Sequence, residues 1–158
     1  MATLSQIQLM KRIAFPLALV LSSFLCHVMA QKPSLDHIAL YVTDLAKSSR
    51  FYSEVLQLDS LPEPFRDGKH AWFSLGGVLQ LHLISGAENL PEPPKRNHIC
   101  FSATSLNPFI DRLKKAGISW EDLQGVEKGI TRRPDGVQQI YFRDPDGYWI
   151  EANDGAKK

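Results

Sequence analysis

Apolar and polar residues alternate along four stretches of the chain, and a period of two marks a strand with one buried face. Ile38, Leu40 and Val42 share one side of the first stretch, with His37, Ala39 and Tyr41 on the other. Leu79, Leu81 and Leu83 oppose Gln80 and His82, and Ile99, Phe101 and Ala103 oppose His98, Cys100 and Ser102. Finally, Tyr148, Ile150 and Ala152 oppose Trp149, Glu151 and Asn153. Each strand therefore has a greasy face and a mixed face. The greasy faces require helices against them, and helical spacing supplies two. Asp44 is placed to cap a helix over 45–56, with Leu45, Tyr52, Val55 and Leu56 on one side. Asn107 and Pro108 start a second, Phe109, Ile110, Leu113 and Ala116 form its stripe, and Gly117 ends it.

The pattern occurs twice. Leu35-Asp36-His37-Ile38-Ala39-Leu40-Tyr41-Val42 returns as Arg96-Asn97-His98-Ile99-Cys100-Phe101-Ser102-Ala103, and a polar turn and a helix follow each copy. Each half reads as strand, helix, then three strands. The middle strands are expected at 58–62 and 69–75 in the first half, and at 118–122 and 137–143 in the second. A long loop is expected around Gly129–Gly136. The proline-rich run Asn89 to Lys95 is a linker. Module one is thus about 34–86, the linker 87–96 and module two 97–153. Neither half is large enough to bury both of its faces. The expectation is an α+β fold of two βαβββ modules pairing into a curved, cup-shaped mixed sheet, with helices outside and the mixed faces lining a cavity.

The first thirty residues stand apart. Lys11 and Arg12 precede an apolar run from Ile13 to Cys26, and Val28 and Ala30 supply small residues, the layout of a secretory signal cleaved after Ala30. Ser22, Ser23 and His27 break the run, which falls short of the roughly 20 apolar residues that span a bilayer. The expected mature chain, 31–158, is secreted or periplasmic and has no membrane partner. Residues 1–30 hold two bases and no acid, so 16 bases then face 17 acids, a net of −1. That balance excludes a nucleic-acid footprint. Cys100 is the one cysteine kept, so no internal disulfide forms.

Matched halves can bring matched positions to one centre. His37 and His98 lie sixty-one residues apart at equivalent positions, and both are on mixed faces with Gln80 and Glu151. Two imidazoles, an amide oxygen and a carboxylate suit a first-row divalent ion such as Ni, Zn, Co, Mn or Fe. One protein charge against a dication leaves Lewis acidity that can stabilise an enolate. A single strand histidine is usually hydrogen-bonded filler, but the repeat offset and the carboxylate at the end of the last strand argue for ligands. An amide can also simply orient a neighbour, so His82 stands beside Gln80 as the remaining ligand. Glu151 and His82 are the candidate proton-moving groups. Tyr141, ten residues before Glu151, is placed to contact a small-molecule substrate, as are Arg66 and Trp72. Ordinary packing accounts for Tyr141 as readily and for Trp72 better, and exposed charges such as Arg66 usually face solvent.

Asp144-Pro145-Asp146-Gly147-Tyr148-Trp149-Ile150-Glu151 closely resembles the glyoxalase I segment that ends in a metal-binding glutamate. Asp36-His37-Ile38 and Asn97-His98-Ile99 match the first-strand ligand positions of the two modules, and Leu79-Gln80-Leu81 matches the remaining one. Over nearly all of 34–153 the chain resembles the vicinal oxygen chelate superfamily of glyoxalase I, bleomycin resistance proteins and extradiol dioxygenases. The Asp-Pro-Asp-Gly turn alone is less specific, since many metal-free relatives keep it. The resemblance implies a lactoylglutathione-lyase-like metalloenzyme with His37, Gln80, His98 and Glu151 as ligands. Its chemistry would be lyase or isomerase chemistry on a small oxygenated substrate. Glyoxalase I takes acidic ligands from both halves, whereas Gln80 leaves Glu151 the only ligand able to accept a proton. Secretion argues against a glutathione adduct, because reduced thiols are scarce outside the cytoplasm. Two other readings are an extradiol-type dioxygenase using His37, His98 and Glu151, and a protein that sequesters a drug or metabolite. The site closes either within one chain or between the chains of a homodimer.

Overall fold

Both expected modules form, each with the same strand order. The computed structural model describes residues 32–157, so the expected leader and its cleavage point lie outside the described residues. In the first module, β1 (His37–Val42), β2 (Ser60–Leu61), β3 (His70–Ser74) and β4 (Gln80–Ser85) order as β1-β4-β3-β2. In the second, β5 (His98–Ser102), β6 (Thr131–Arg132), β7 (Gln138–Arg143) and β8 (Trp149–Asn153) order as β5-β8-β7-β6. The first strand of each module runs parallel to the last, and the remaining pairs are antiparallel. The sheets are separate ladders among the described residues.

The alternation sets the faces as expected. Leu40, Val42, Leu81 and Leu83 are buried, while His37, Ala39 and Tyr41 are exposed. Greasy residues of both sheets share one core with the helices: Leu40, Val42, Ile140 and Phe142 pack in the same cluster as Tyr52, Phe109 and Leu113. Asp44 caps α1 (Leu45–Arg50) by accepting the Lys47 N–H at 2.9 Å. The helix then widens into a π-helical turn, Phe51–Val55, in which Leu56 N–H reaches the Phe51 carbonyl. Phe51 and Leu56, at the two ends of that turn, are both buried with Tyr52 and Val55.

Two expectations need correction. α2 spans Asn107–Lys115, so Asn107 is its first residue rather than its cap; Leu106 stands at the cap without a side-chain acceptor. The Ser105 hydroxyl takes the Asn107 N–H instead, and Gly117, at φ +68°, ends the helix as expected. Residues 118–122 are not a strand: Glu121 makes isolated bridges to Tyr141 and Glu127, and the short strand β6 lies in the stretch assigned to a loop. The Asp122 carboxylate takes the Val126 N–H and the Thr131 hydroxyl takes the Leu123 N–H. Those side-chain acceptors turn the backbone away before a ladder can extend.

The Asp144–Gly147 turn fastens the modules together. Asp144 accepts the N–H groups of Asp146 and Tyr148 and the Tyr52 hydroxyl. Asp146 then reaches into the first module, where its carboxylate takes the Thr43 N–H and hydroxyl at 2.7 Å each and the Ser48 hydroxyl. Tyr148 adds a hydrogen bond to the Tyr41 carbonyl at 3.0 Å.

Candidate metal centre

Register gathers the expected ligands into two groups, one on each mixed face. In the first sheet His37 lies opposite Gln80, and His82 lies between Ala39 and Trp72. Asp36 holds the His37 Nδ1 at 2.8 Å, which leaves the Nε2 lone pair for a ligand. His82 Nε2 donates to Gln80 Oε1 at 2.9 Å, and its ring stacks on His37 with centroids 4.2 Å apart. Burial first, then the nearby His37, lowers the His82 pKa and keeps that ring neutral.

In the second sheet the alternation that buries Ile150 turns Glu151 toward His98, Tyr141, Cys100 and Asn153. Glu151 lies opposite both Cys100 and Tyr141 and is 5% exposed. Its Oε1 accepts from Asn153 at 2.9 Å and from the Cys100 thiol at 3.2 Å, while Oε2 accepts from the Tyr141 hydroxyl at 2.8 Å. Burial pushes the Glu151 pKa up, but the donors from Asn153, Tyr141 and Cys100 outweigh it and hold the carboxyl below its usual range. The partner groups move the other way. Burial, then the bond to Glu151, pushes the Cys100 thiol up to about 12 and raises the Tyr141 hydroxyl further. Both therefore stay protonated and serve as donors at neutral pH.

The donor chemistry fits a cation. His98 Nδ1 donates to the Lys95 carbonyl at 2.9 Å, so in the neutral imidazole Nε2 carries a lone pair. That nitrogen faces Glu151 Oε2 at 3.2 Å. Two acceptors at this separation need positive charge on or between them, either a proton or a metal ion. His37 and His98 thus share one arrangement: Nδ1 is tied to an acceptor and Nε2 is left over. Among the described residues, no three His, Cys, Asp or Glu side chains gather in a group that could hold a metal. His37 with Gln80, and His98 with Glu151, form two pairs on different sheets.

The second tier of expected residues divides as well. Tyr141 belongs to the second pair. Trp72 stacks on His82 with centroids 3.9 Å apart and so belongs to the first. Arg66 is an exposed loop residue whose N–H is held by Glu63. Sequence reading missed three supporting groups. Asp36 and Asn153 were readable, one beside His37 and the other two residues past Glu151 on the same face. Lys95 was hidden in the linker. Its carbonyl orients His98, while its ammonium pairs with Glu121, bonds the Asp122 and Leu123 carbonyls, and lies 5.2 Å from the Trp149 ring centre. A cavity of about 320 Å³ opens beside Tyr141 and Trp149, walled by Trp120, Glu121 and Arg143.

Residues 34–152 match the model of the Glyoxalase/Bleomycin resistance protein/Dioxygenase superfamily. Glyoxylase I 4 of Arabidopsis thaliana is 30% identical over 124 residues, covering 75% of this chain and 68% of that protein. Metallothiol transferase FosB of Staphylococcus saprophyticus is 30% identical over 125 residues, covering 77% of each chain. In fold, the chain matches a variant of the fosfomycin resistance protein FosX of Listeria monocytogenes, solved with Mn(II) and 1S,2S-dihydroxypropylphosphonic acid. The TM-score is 0.64 at 24% identity, covering 79% of this chain and 92% of that one.

Proposed function

The chain belongs to the Glyoxalase/Bleomycin resistance protein/Dioxygenase superfamily, and within it we propose a metal-dependent enzyme of the glyoxalase type, its site shared between two copies of the chain. The observation that carries this reading is the paired imidazole arrangement. Asp36 and the Lys95 carbonyl each tie down one Nδ1, and His98 Nε2 faces an ionised, buried Glu151. His37 with Gln80 or His82 of one copy, and His98 with Glu151 of the other, would hold a divalent ion, with Mn, Fe, Co, Ni and Zn all compatible. The bound ion would supply Lewis acidity, stabilising charge that develops on a substrate oxygen during lyase or isomerase chemistry.

This chain's own residues set the rest. Glu151 is the ligand able to accept a proton. The Gln139 amide bonds the Tyr141 hydroxyl, which in turn donates to Glu151 Oε2, so the acceptor's orientation is fixed from behind. A site shared between copies accounts for the separation of the two half-sites and for the exposure of the first sheet's mixed face, where Tyr41 is 47% exposed. The signal-like pattern of residues 1–30 supports a location outside the cytoplasm, with a small oxygenated molecule as substrate. N-terminal sequencing of exported protein should read from Gln31.

The test is metal content and solution mass of the purified protein, wild type against Glu151→Gln. A dimer with one metal per chain, lost in the variant, is the expected result. A metal-free protein that binds aromatic compounds tightly would sink the enzyme reading in favour of sequestration. Oxygen uptake with catechols would redirect it to ring-opening dioxygenation.

A further inference from the structure

The linker is pinned at both sides of one cavity. Glu92 reaches Arg143 at 3.3 Å and Lys95 pairs with Glu121, and both partners line the cavity of about 320 Å³ beside Tyr141 and Trp149. That volume suits a small molecule. We propose that this cavity takes the carboxylate end of the substrate, with Arg143 binding it and the Glu92 carboxylate giving way. The proposal names a substrate class for the metal reading above and rests on it.

Register puts the cavity on the same face as His98 and Glu151. Glu121 bridges Tyr141, Tyr141 lies opposite Glu151, and Arg143 lies opposite Trp149, which in turn lies opposite His98. Glu121, Tyr141, Arg143 and Trp149 therefore continue the mixed face that carries His98 and Glu151. Two strand spacings, about 10 Å, separate the His98 and Arg143 strands. A molecule held at both ends is an elongated oxygenated acid, longer than a two- or three-carbon one.

Charge and geometry single out Arg143. Among the charged walls of the cavity, Glu121 is answered by Lys95 and Glu127 by Lys128. Arg143 is answered by Glu92, whose side chain is 80% exposed. An exposed pair of that kind is weak, and 3.3 Å is longer than the about 2.7–2.9 Å of a good charge-assisted bond. Among the described residues only Nη2 of the guanidinium bonds to protein, so the rest of its planar fork remains for a ligand. Its central carbon lies 4.4 Å from the Trp149 ring centre, and that contact holds the guanidinium at the cavity wall. Displacing Glu92 exposes one positive charge, which suits a carboxylate rather than a phosphate dianion.

The test is calorimetric titration of the metal-free full-length protein with 2-naphthoate and with 2-naphthamide, which differ in charge and hardly in shape. Wild type should bind the acid about 10-fold or more tightly than the amide. Arg143→Met should bring the acid down to the affinity of the amide. Glu92→Gln removes the competing carboxylate and should tighten the acid about 2- to 5-fold while leaving the amide unchanged. Equal affinities in the wild type, or a preference that survives Arg143→Met, would overturn the site. If Arg143→Met does not fold, Glu92→Gln decides, and an unchanged affinity for the acid would overturn it. A Co(II) titration of the wild type tests the metal reading separately. Preference for the acid in a protein that binds no Co(II) would overturn that reading and the substrate role together. Co(II) binding without the preference would overturn the carboxylate site alone.

Discussion

His37 and His98 occupy equivalent positions in a duplicated module, but Gln80 lies directly opposite His37 whereas Glu151 lies opposite Cys100, and the two pairs are supported in different ways. On the second sheet Glu151 is closed in and hydrogen-bonded, while His98 is exposed. Glu151 is 5% exposed and takes three side-chain donors, and His98 is held by a main-chain carbonyl. On the first sheet the His37 side chain is 43% exposed, and it is held by a flanking carboxylate and a stacked ring. A buried carboxylate needs donors, because charge away from water is costly unless it is bonded. An exposed imidazole needs only to be kept from turning. Duplication supplied the strand positions, and the charge at each position determined what had to surround it.

Mixing two inactive variants gives the largest expected effect. His37→Ala and Glu151→Gln should each bind metal on the order of 100-fold more weakly or worse, since each removes a ligand outright. If the half-sites meet between copies, mixing the two variants and allowing subunit exchange should restore one intact site per mixed dimer. A site closed within one chain would stay empty in the mixture. Metal content after exchange reads the answer directly.

Removing a donor from the closed side should have a smaller effect on metal and a larger one on stability. Asn153→Ala leaves Glu151 Oε1 with the weak Cys100 donor alone. It should lower unfolding free energy by about 1–3 kcal/mol and metal affinity by about 10-fold. An unchanged melting curve would mean that the carboxylate is better solvated than its burial indicates.

Away from the half-sites, Tyr52→Phe removes the hydroxyl that donates to buried Asp144 and should cost about 1.5–3 kcal/mol at neutral pH. Burial raises the Asp144 pKa, and the Tyr52 bond works against that rise. A raised carboxyl contributes most at low pH and loses that contribution as pH rises through its folded value. Without Tyr52 the folded value rises further, so the stability gap to wild type should narrow as the solution is acidified. Denaturant titrations at two pH values test this. The smallest effect belongs to Lys95→Met, which breaks the pair with Glu121 but keeps the carbonyl that orients His98. Because the ammonium is part-buried and also bonds the Asp122 and Leu123 carbonyls, stability should fall by about 1–2 kcal/mol, with metal affinity unchanged. A large loss of metal would mean that the side chain, not the backbone, sets His98.

Much of this was readable in the residues. The period of two placed His37, Gln80, His98 and Glu151 on mixed faces, because burial of Leu40, Leu81 and Ile150 forces the neighbouring side chains the other way. The caps were half-readable. Asp44 behaves as its position implies, but at Asn107 the neighbouring Ser105 is the better-placed acceptor. Residues 118–122 misled because apolar Ile118 and Trp120 alternate like a strand, while the turn that stops the ladder depends on Asp122 and Thr131 reaching across the loop. Lys95 was illegible for a related reason: its function lies in a carbonyl group that every residue carries. The stacked row of Trp72 and His82 depends on cross-strand register, which no single segment contains.

The Asp144–Gly147 turn, the most recognisable stretch of the chain, points its carboxylates at Thr43, Ser48 and Tyr52 rather than at any half-site ligand. It is a clasp. A search keyed on those four letters would collect proteins by how their halves are buckled together, and would say nothing of whether they work on anything. The acid that follows four residues after the clasp, and the two imidazoles far upstream, are what such a search should ask for.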